Sequence, residues 1–188
     1  MPLFYTSRYD RPAIEMRDAE NNIYNVAFIG TAHSDRYAIV NKVLTGIRAS
    51  TLSNFIYFYS PSKLLFFMKK LLSSELKGIS YSEVSFKSLS SEQIADIFLR
   101  TNVVVDIEHP KQNGLTMRTI EMLGLQKKLI TTNKNVMNYD FYHPNNICVV
   151  EREYPVIKQS FIDCNYQPVD ELIRTKYSLS QWLSGLLG

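Results

Sequence analysis

From Tyr24 onward the chain alternates short apolar runs with apolar stripes of helical period. Residues 24–29 form a mostly apolar run that ends at Gly30, the pattern of a strand buried on both faces. Tyr37, Val40, Val43, Leu44 and Ile47 then recur at three- and four-residue spacing, which predicts an amphipathic helix through about Ala49, capped by Ser34 or Asp35. Residues 54–59 are aromatic and β-branched and are stopped by Ser60 and Pro61, so they read as a second strand. Together these make a βαβ unit, whose crossover is expected to be right-handed.

The alternation continues along the chain. Residues 62–72 predict a helix, 82–86 a weaker strand, and 90–99 a helix whose Glu92 and Gln93 resemble a capping box. Residues 101–106 give the strongest strand signal, followed by a loop over 107–113, a helix over 115–123 and a strand over 128–131. A last strand near 147–150 precedes a polar, proline-containing stretch, and 177–187 predicts a terminal helix around Trp182. The expected fold is α/β, a Rossmann-like three-layer α/β/α arrangement with a mostly parallel sheet. Residues 1–22, with Pro2, Pro12 and alternating charges, are expected to be an irregular lead-in or linker remnant, and 23–188 a single domain.

Composition narrows the function classes. The 188 residues are 45% hydrophobic and 21% charged, ordinary values for one well-filled core. A net charge of +3, spread from Arg8 to Lys176 without a dense block, favours an anionic small ligand or a membrane surface over nucleic acid. Cys148 and Cys164 lack metal-ligand or paired spacing, so both are expected to be reduced thiols in a cytoplasmic protein. No apolar run approaches the roughly 20 residues of a spanning helix, and the first residues lack the apolar core of a signal peptide.

In a parallel sheet, ligands bind beyond the carboxyl ends of the strands. The loop after the first strand, residues 30–36, offers Gly30 for a tight turn, a helix N-terminus for a phosphate, Arg36 for a charge-assisted hydrogen bond, and Thr31 or His33 for polar contacts. The blander alternative is that Gly30 is only a turn and Ser34 or Asp35 only a cap. The loop after the strongest strand, residues 109–124, places Lys111 before Gly114, which marks a helix entrance where a diphosphate could approach the backbone. Arg118 and Glu121 are three apart on that helix, so one could meet phosphate and the other ribose hydroxyls, unless they form only a surface pair.

Residues 104–150, including the run His-Pro-Lys-Gln-Asn-Gly-Leu-Thr-Met-Arg-Thr-Ile-Glu-Met-Leu-Gly and the later Lys-Lys-Leu-Ile-Thr-Thr-Asn and Tyr-Asp-Phe-Tyr, resemble bacterial lipopolysaccharide and capsular-polysaccharide glycosyltransferases. The segment Phe-Ile-Gly-Thr-Ala-His-Ser-Asp-Arg-Tyr is similar to the opening of the same domain. The resemblance covers roughly residues 24–155 and implies the nucleotide-sugar half of a GT-B fold, whose acceptor-binding domain would act in cis or in trans. It implies that Gly114, Leu115 and Thr116 face the donor diphosphate, that Glu121 holds the ribose, that Gly30, Thr31 and Arg36 line the opposite wall, and that Asn133 adds a donor contact. Arg36, Arg118 and Glu121 are the expected catalytic residues. One departure is Asn113, eight positions before Glu121, where many retaining members of the wider fold carry an acid.

The implied substrate is a nucleoside diphosphate sugar, with no cofactor, and the implied acceptor is a saccharide or a lipid-linked sugar. Negative charge builds on the departing diphosphate, so preorganised positive potential matters more than a nucleophile. No Asp-x-Asp metal motif occurs, and Asp106-Ile107-Glu108 reads as a strand end, so a metal-independent reaction is expected. His33, His109 and His143 are candidate polar groups without an assigned role as base. The apolar residues of 55–59 and 63–70 read first as core; if exposed between lysines, they fit a missing domain or the inner face of the plasma membrane. A non-enzymatic Rossmann-like interaction module is the competing expectation. A flavodoxin-like or dehydrogenase domain is weaker, because the first strand lacks a dinucleotide glycine fingerprint.

Overall fold

The structure, a computed structural model, describes residues 3–11, 22–72, 76, 78–112 and 114–187. Its sheet contains β1 (Tyr24–Thr31), β2 (Ser53–Tyr59), β3 (Val84–Ser85), β4 (Thr101–Asp106), β5 (Lys128–Thr131) and β6 (Ile147–Val149). The described α-helices are α1 (Arg36–Gly46), α2 (Lys63–Leu72), α3 (Ser91–Leu99), α4 (Met117–Leu125), α5 (Gln159–Asp163), α6 (Glu171–Lys176) and α7 (Leu179–Leu187). The strands pair in the order β3-β2-β1-β4-β5-β6, every pair parallel. This is the expected Rossmann-like three-layer fold.

The two faces follow from the two-residue period of the strands. In β4, Val103 and Val105 enter one core while Val104 enters the other, and β1 divides Val26 and Phe28 from Ala27 in the same way. The first core is closed by α1 and α5 through Ile39, Val40, Val43 and Phe161, the second by α3 and α4 through Phe98, Ile120 and Leu123. Because both faces are covered, the strands read as apolar runs without alternation. The start of α3 is the expected capping box: Gln93 N donates to Ser90 Oγ at 3.2 Å, and Ser90 N donates to Gln93 Oε1 at 2.9 Å.

Several expectations change. α1 stops at Gly46, before the expected Ala49, because Ile47 is extended and its N–H turns back to Leu44 O. The polar stretch after β6 contains α5 and α6, which at five and six residues are too short to show a period. The lead-in is partly a packed element. Tyr5 and Tyr9 are buried in the second core, and Tyr5 N and O bond Tyr177 O and Leu179 N at 2.9 and 2.8 Å. The rest of that segment, residues 1–2 and 12–21 with Pro2 and Pro12, lies outside the described residues. The first expectation for α2 also fails: Phe66 is its only buried residue. Phe66 packs against Tyr81 and Phe86, which flank the two-residue edge strand β3. Among the described residues, no helix is long and apolar enough to cross a membrane.

Candidate functional site

The strand order reverses between β1 and β4, so the loops that leave their carboxyl ends diverge and open a crevice there. Arg36, the first residue of α1, reaches across it. Its Nε donates to Ile107 O at 2.7 Å, and its Nη1 donates to Thr31 Oγ1 at 2.7 Å and lies 3.0 Å from His33 Nε2. The rings of His33 and His109 are 5.3 Å apart between centroids. Through Arg36 and the His33–His109 contact, the loop after β1 meets the loop after β4. Burial lowers the Arg36 pKa from its ordinary value, Asp106 opposes this, and the like charge of Arg152 adds to it.

The expected roles of Gly30 and the α1 cap are corrected. Gly30 lies within β1, not in a turn, and lacks a Cβ because that atom would stand 2.7 Å from Phe28 Cζ. The left-handed turn is made by Ser34, at φ 53°. Asp35 occupies the cap position of α1 but its side chain bonds no α1 amide. Its carboxylate instead receives both Nε and Nη2 of Arg152 at 3.1 Å. Arg152 also donates to Thr132 Oγ1 at 2.9 Å and Glu108 O at 2.8 Å, so one guanidinium ties the loops after β1, β4 and β5. The first amides of α1 are left without a side-chain cap at the crevice, which is the electrostatic requirement for holding an anion. Ser34 Oγ, in the same turn, is the one buried side-chain polar atom among the described residues that has no hydrogen-bond partner.

The loop after β4 is arranged differently from expectation. Gly114 adopts φ 84°, as a sharp entrance requires, but its carbonyl accepts Asn133 Nδ2 at 2.7 Å. Asn133 is buried and its Oδ1 caps Asn135 N at 3.0 Å, so it braces two loops. The Leu115 side chain is buried in the second core. α4 starts at Met117 and is closed by Thr116, whose Oγ1 accepts Thr119 N at 3.2 Å and donates to Asp106 Oδ2. The helix end without a side-chain cap is thus on α1, and the Thr116 hydroxyl, the expected side-chain donor to a diphosphate, is engaged by Asp106 and Thr119. Lys111 is exposed on this loop, and Asn113 lies outside the described residues.

Arg118 and Glu121 form a contact of 2.6 Å with side chains 17% and 16% exposed. The Arg118 guanidinium stacks 4.2 Å from the Phe98 ring centroid, and the buried Tyr9 lies close enough to feel the charge of both partners. Glu121 is therefore mostly buried and paired with Arg118. Burial raises the Glu121 pKa; Arg118 opposes the rise and Asp106 adds to it. Asp106 ends β4 between the two arginines. Burial raises its pKa too, against the Thr116 hydrogen bond and the charges of Arg118 and Arg36.

Asp106, Arg152 and the turn at Ser34 carry the geometry that sequence reasoning missed. The available signal was position: a charged residue directly beyond an apolar parallel strand lies at the carboxyl edge, and Arg152 follows β6 within a few residues. Arg152, Glu108, Gln112, Thr132, Asn133 and Lys134 border a hollow of about 360 Å³ on this edge, within the usual range of small-ligand sites. Among the described residues, no group of three His, Cys, Asp or Glu side chains is placed to hold a metal ion.

A second hollow of about 360 Å³ opens at the opposite, amino edge, beside Asn102, Lys127, Lys128 and Tyr166. Helices covering a parallel sheet direct their C-terminal, negative ends to that edge, so it lacks the amide donors of the other. Burial and the neighbouring charge of Arg11 push the Lys127 ammonium down to about 8. At pH 8, about half of Lys127 should be neutral, against roughly one in three hundred for an ordinary lysine. The acylation rate of Lys127, read by peptide mass mapping across pH, should level off above about pH 8, while that of exposed Lys69 keeps rising toward about pH 10. A Lys127 rate still rising about tenfold per pH unit above about pH 9 would refute the depressed value.

No protein-family model matches the chain, and no curated protein matches it.

Proposed function

We propose that the β1/β4 crevice binds the diphosphate of a nucleotide sugar, and that the chain is the donor-binding domain of a glycosyltransferase. The observation that carries this is the α1 N-terminus: it stands at the point where the strand order reverses, lacks a side-chain cap, and has Arg36 as its first residue. The unpartnered Ser34 hydroxyl and the mutual repulsion of Arg36 and Arg152 both favour an anion in this place. In this scheme the α1 amides and Arg36 stabilise charge on the departing diphosphate without a metal. The resemblance of residues 104–150 to lipopolysaccharide and capsular-polysaccharide glycosyltransferases supports a saccharide or lipid-linked acceptor held by another domain, in cis or in trans. Arg118 and Glu121 then act as positioning residues, holding Asp106 and the start of α4.

Calorimetric titration with uridine, guanosine, cytidine and deoxythymidine diphosphates tests the proposal. One of them should bind saturably, and Arg36→Ala should weaken it at least about tenfold, or 1.4 kcal/mol. If none binds, or if Arg36→Ala binds as well as the parent chain, the donor site is elsewhere or absent. Failure with all four would favour a non-enzymatic interaction module.

A further inference from the structure

α2 is inverted relative to an ordinary surface helix. At 3.6 residues per turn, Leu64, Leu65, Phe67, Met68, Leu71 and Leu72 fall on one broad arc, and all are exposed, from 44% at Leu65 to 82% at Leu72. Its buried residue, Phe66, is held by rings 6.3 Å away at Tyr81 and 5.9 Å away at Phe86. A monomeric surface rarely leaves so many large apolar side chains together in water.

The charges beside the arc indicate what covers it. α2 contains Lys63, Lys69 and Lys70 and no acid, and residues 63–87 hold five lysines against two glutamates. One of these, Glu83, accepts Tyr37 Oη at 2.8 Å and Ser80 N at 2.7 Å, so it is engaged within the fold. Lys63 lies 5.8 Å from the Phe86 ring centroid and Lys70 donates to Ile79 O, which anchors both at the inner margin of the arc. Lys69 is exposed at the opposite margin. In a two-fold pair of copies these lysines would be brought toward their own equivalents, which is unfavourable. An anionic lipid surface satisfies both features, since the arc enters the acyl boundary while ammonium groups remain among the headgroups.

We propose that α2 is an interfacial membrane anchor, lying flat on an anionic bilayer with its apolar arc inserted and its lysines at the headgroups. This is independent of the nucleotide-sugar reading, because α2 follows β2 on a face of the sheet and contributes nothing to the β1/β4 crevice.

Flotation of the full chain with vesicles tests it. The protein should bind vesicles of phosphatidylcholine containing about one third phosphatidylglycerol, and bind pure phosphatidylcholine at least about tenfold more weakly. Leu71→Ser with Leu72→Ser, and separately Lys63→Gln with Lys69→Gln, should each weaken binding to the anionic vesicles by about tenfold or more. Unchanged melting temperatures and nucleotide titrations in these variants would show that fold and crevice are intact. Absence of flotation, or equal flotation with both vesicle types, overturns the proposal. So does a dimer in sedimentation velocity that the leucine variant abolishes without any lipid binding, which would assign the arc to a second copy.

Discussion

Arg152→Ala is expected to lower the unfolding free energy by about 2 kcal/mol and to weaken diphosphate binding at least about tenfold. The guanidinium makes four hydrogen bonds to three loops, at Asp35, Thr132 and Glu108. The Asp35 side chain is 40% exposed, so solvent screens that part of the pair, and the stability loss is set below the sum expected for buried charge-assisted bonds. Removing Arg152 also frees the Asp35 carboxylate at the α1 cap position. There it can turn onto the helix amides and occupy the place of the ligand phosphate, which is why binding should suffer as well as stability. Arg152→Lys keeps the charge but cannot fork across Asp35, so it should recover less than half of the lost stability. Urea denaturation together with the diphosphate titration checks both effects. A stability change below about 0.5 kcal/mol would show that the three loops hold their positions without this residue.

Gly124→Ala should cost more, at least about 3 kcal/mol, although alanine improves on glycine in a helix interior by about 1 kcal/mol. A Cβ on Gly124 would stand 2.2 Å from Tyr9 O and 2.8 Å from Tyr5 Cγ, and the nearer atom is backbone that cannot rotate away. The lead-in is pinned at this point, with Arg11 N donating to Gly124 O at 3.1 Å. The alanine variant must lift residues 3–11 off α4, exposing Tyr5 and Tyr9 and uncovering the Arg118–Glu121 pair. Denaturant midpoints would show the loss, and trypsin cleavage after Arg8 should accelerate. An unchanged midpoint would mean that the lead-in does not pack against α4 as described.

The parts of the site that were legible were those next to a periodic signal. The run ending at Gly30 and the run ending at Asp106 announced two strands, and their following loops do meet, through Arg36 and Ile107. The roles inside those loops were not legible. Thr116 was expected to face a phosphate, yet it caps α4 and binds Asp106. Glu121 was expected to face a ribose, and its carboxylate pairs with Arg118 at 2.6 Å. A polar side chain in a sequence has a chemistry but no direction: Thr116 was claimed by Asp106, ten residues away, and Glu121 by its neighbour Arg118. Arg152 was invisible for the same reason, since each of its partners lies on a different loop.

By itself, then, the order of apolar and polar residues determined the strands, the longer helices and the parallel three-layer class, because burial on two faces demands continuous apolar strands and one-sided helices. Tertiary packing alone decided that α1 and not α4 presents an open N-terminus, that the lead-in joins the second core, and that the apolar side of α2 faces outward. Each of these depends on which long-range partner reaches a group first, and local periodicity carries no record of that competition.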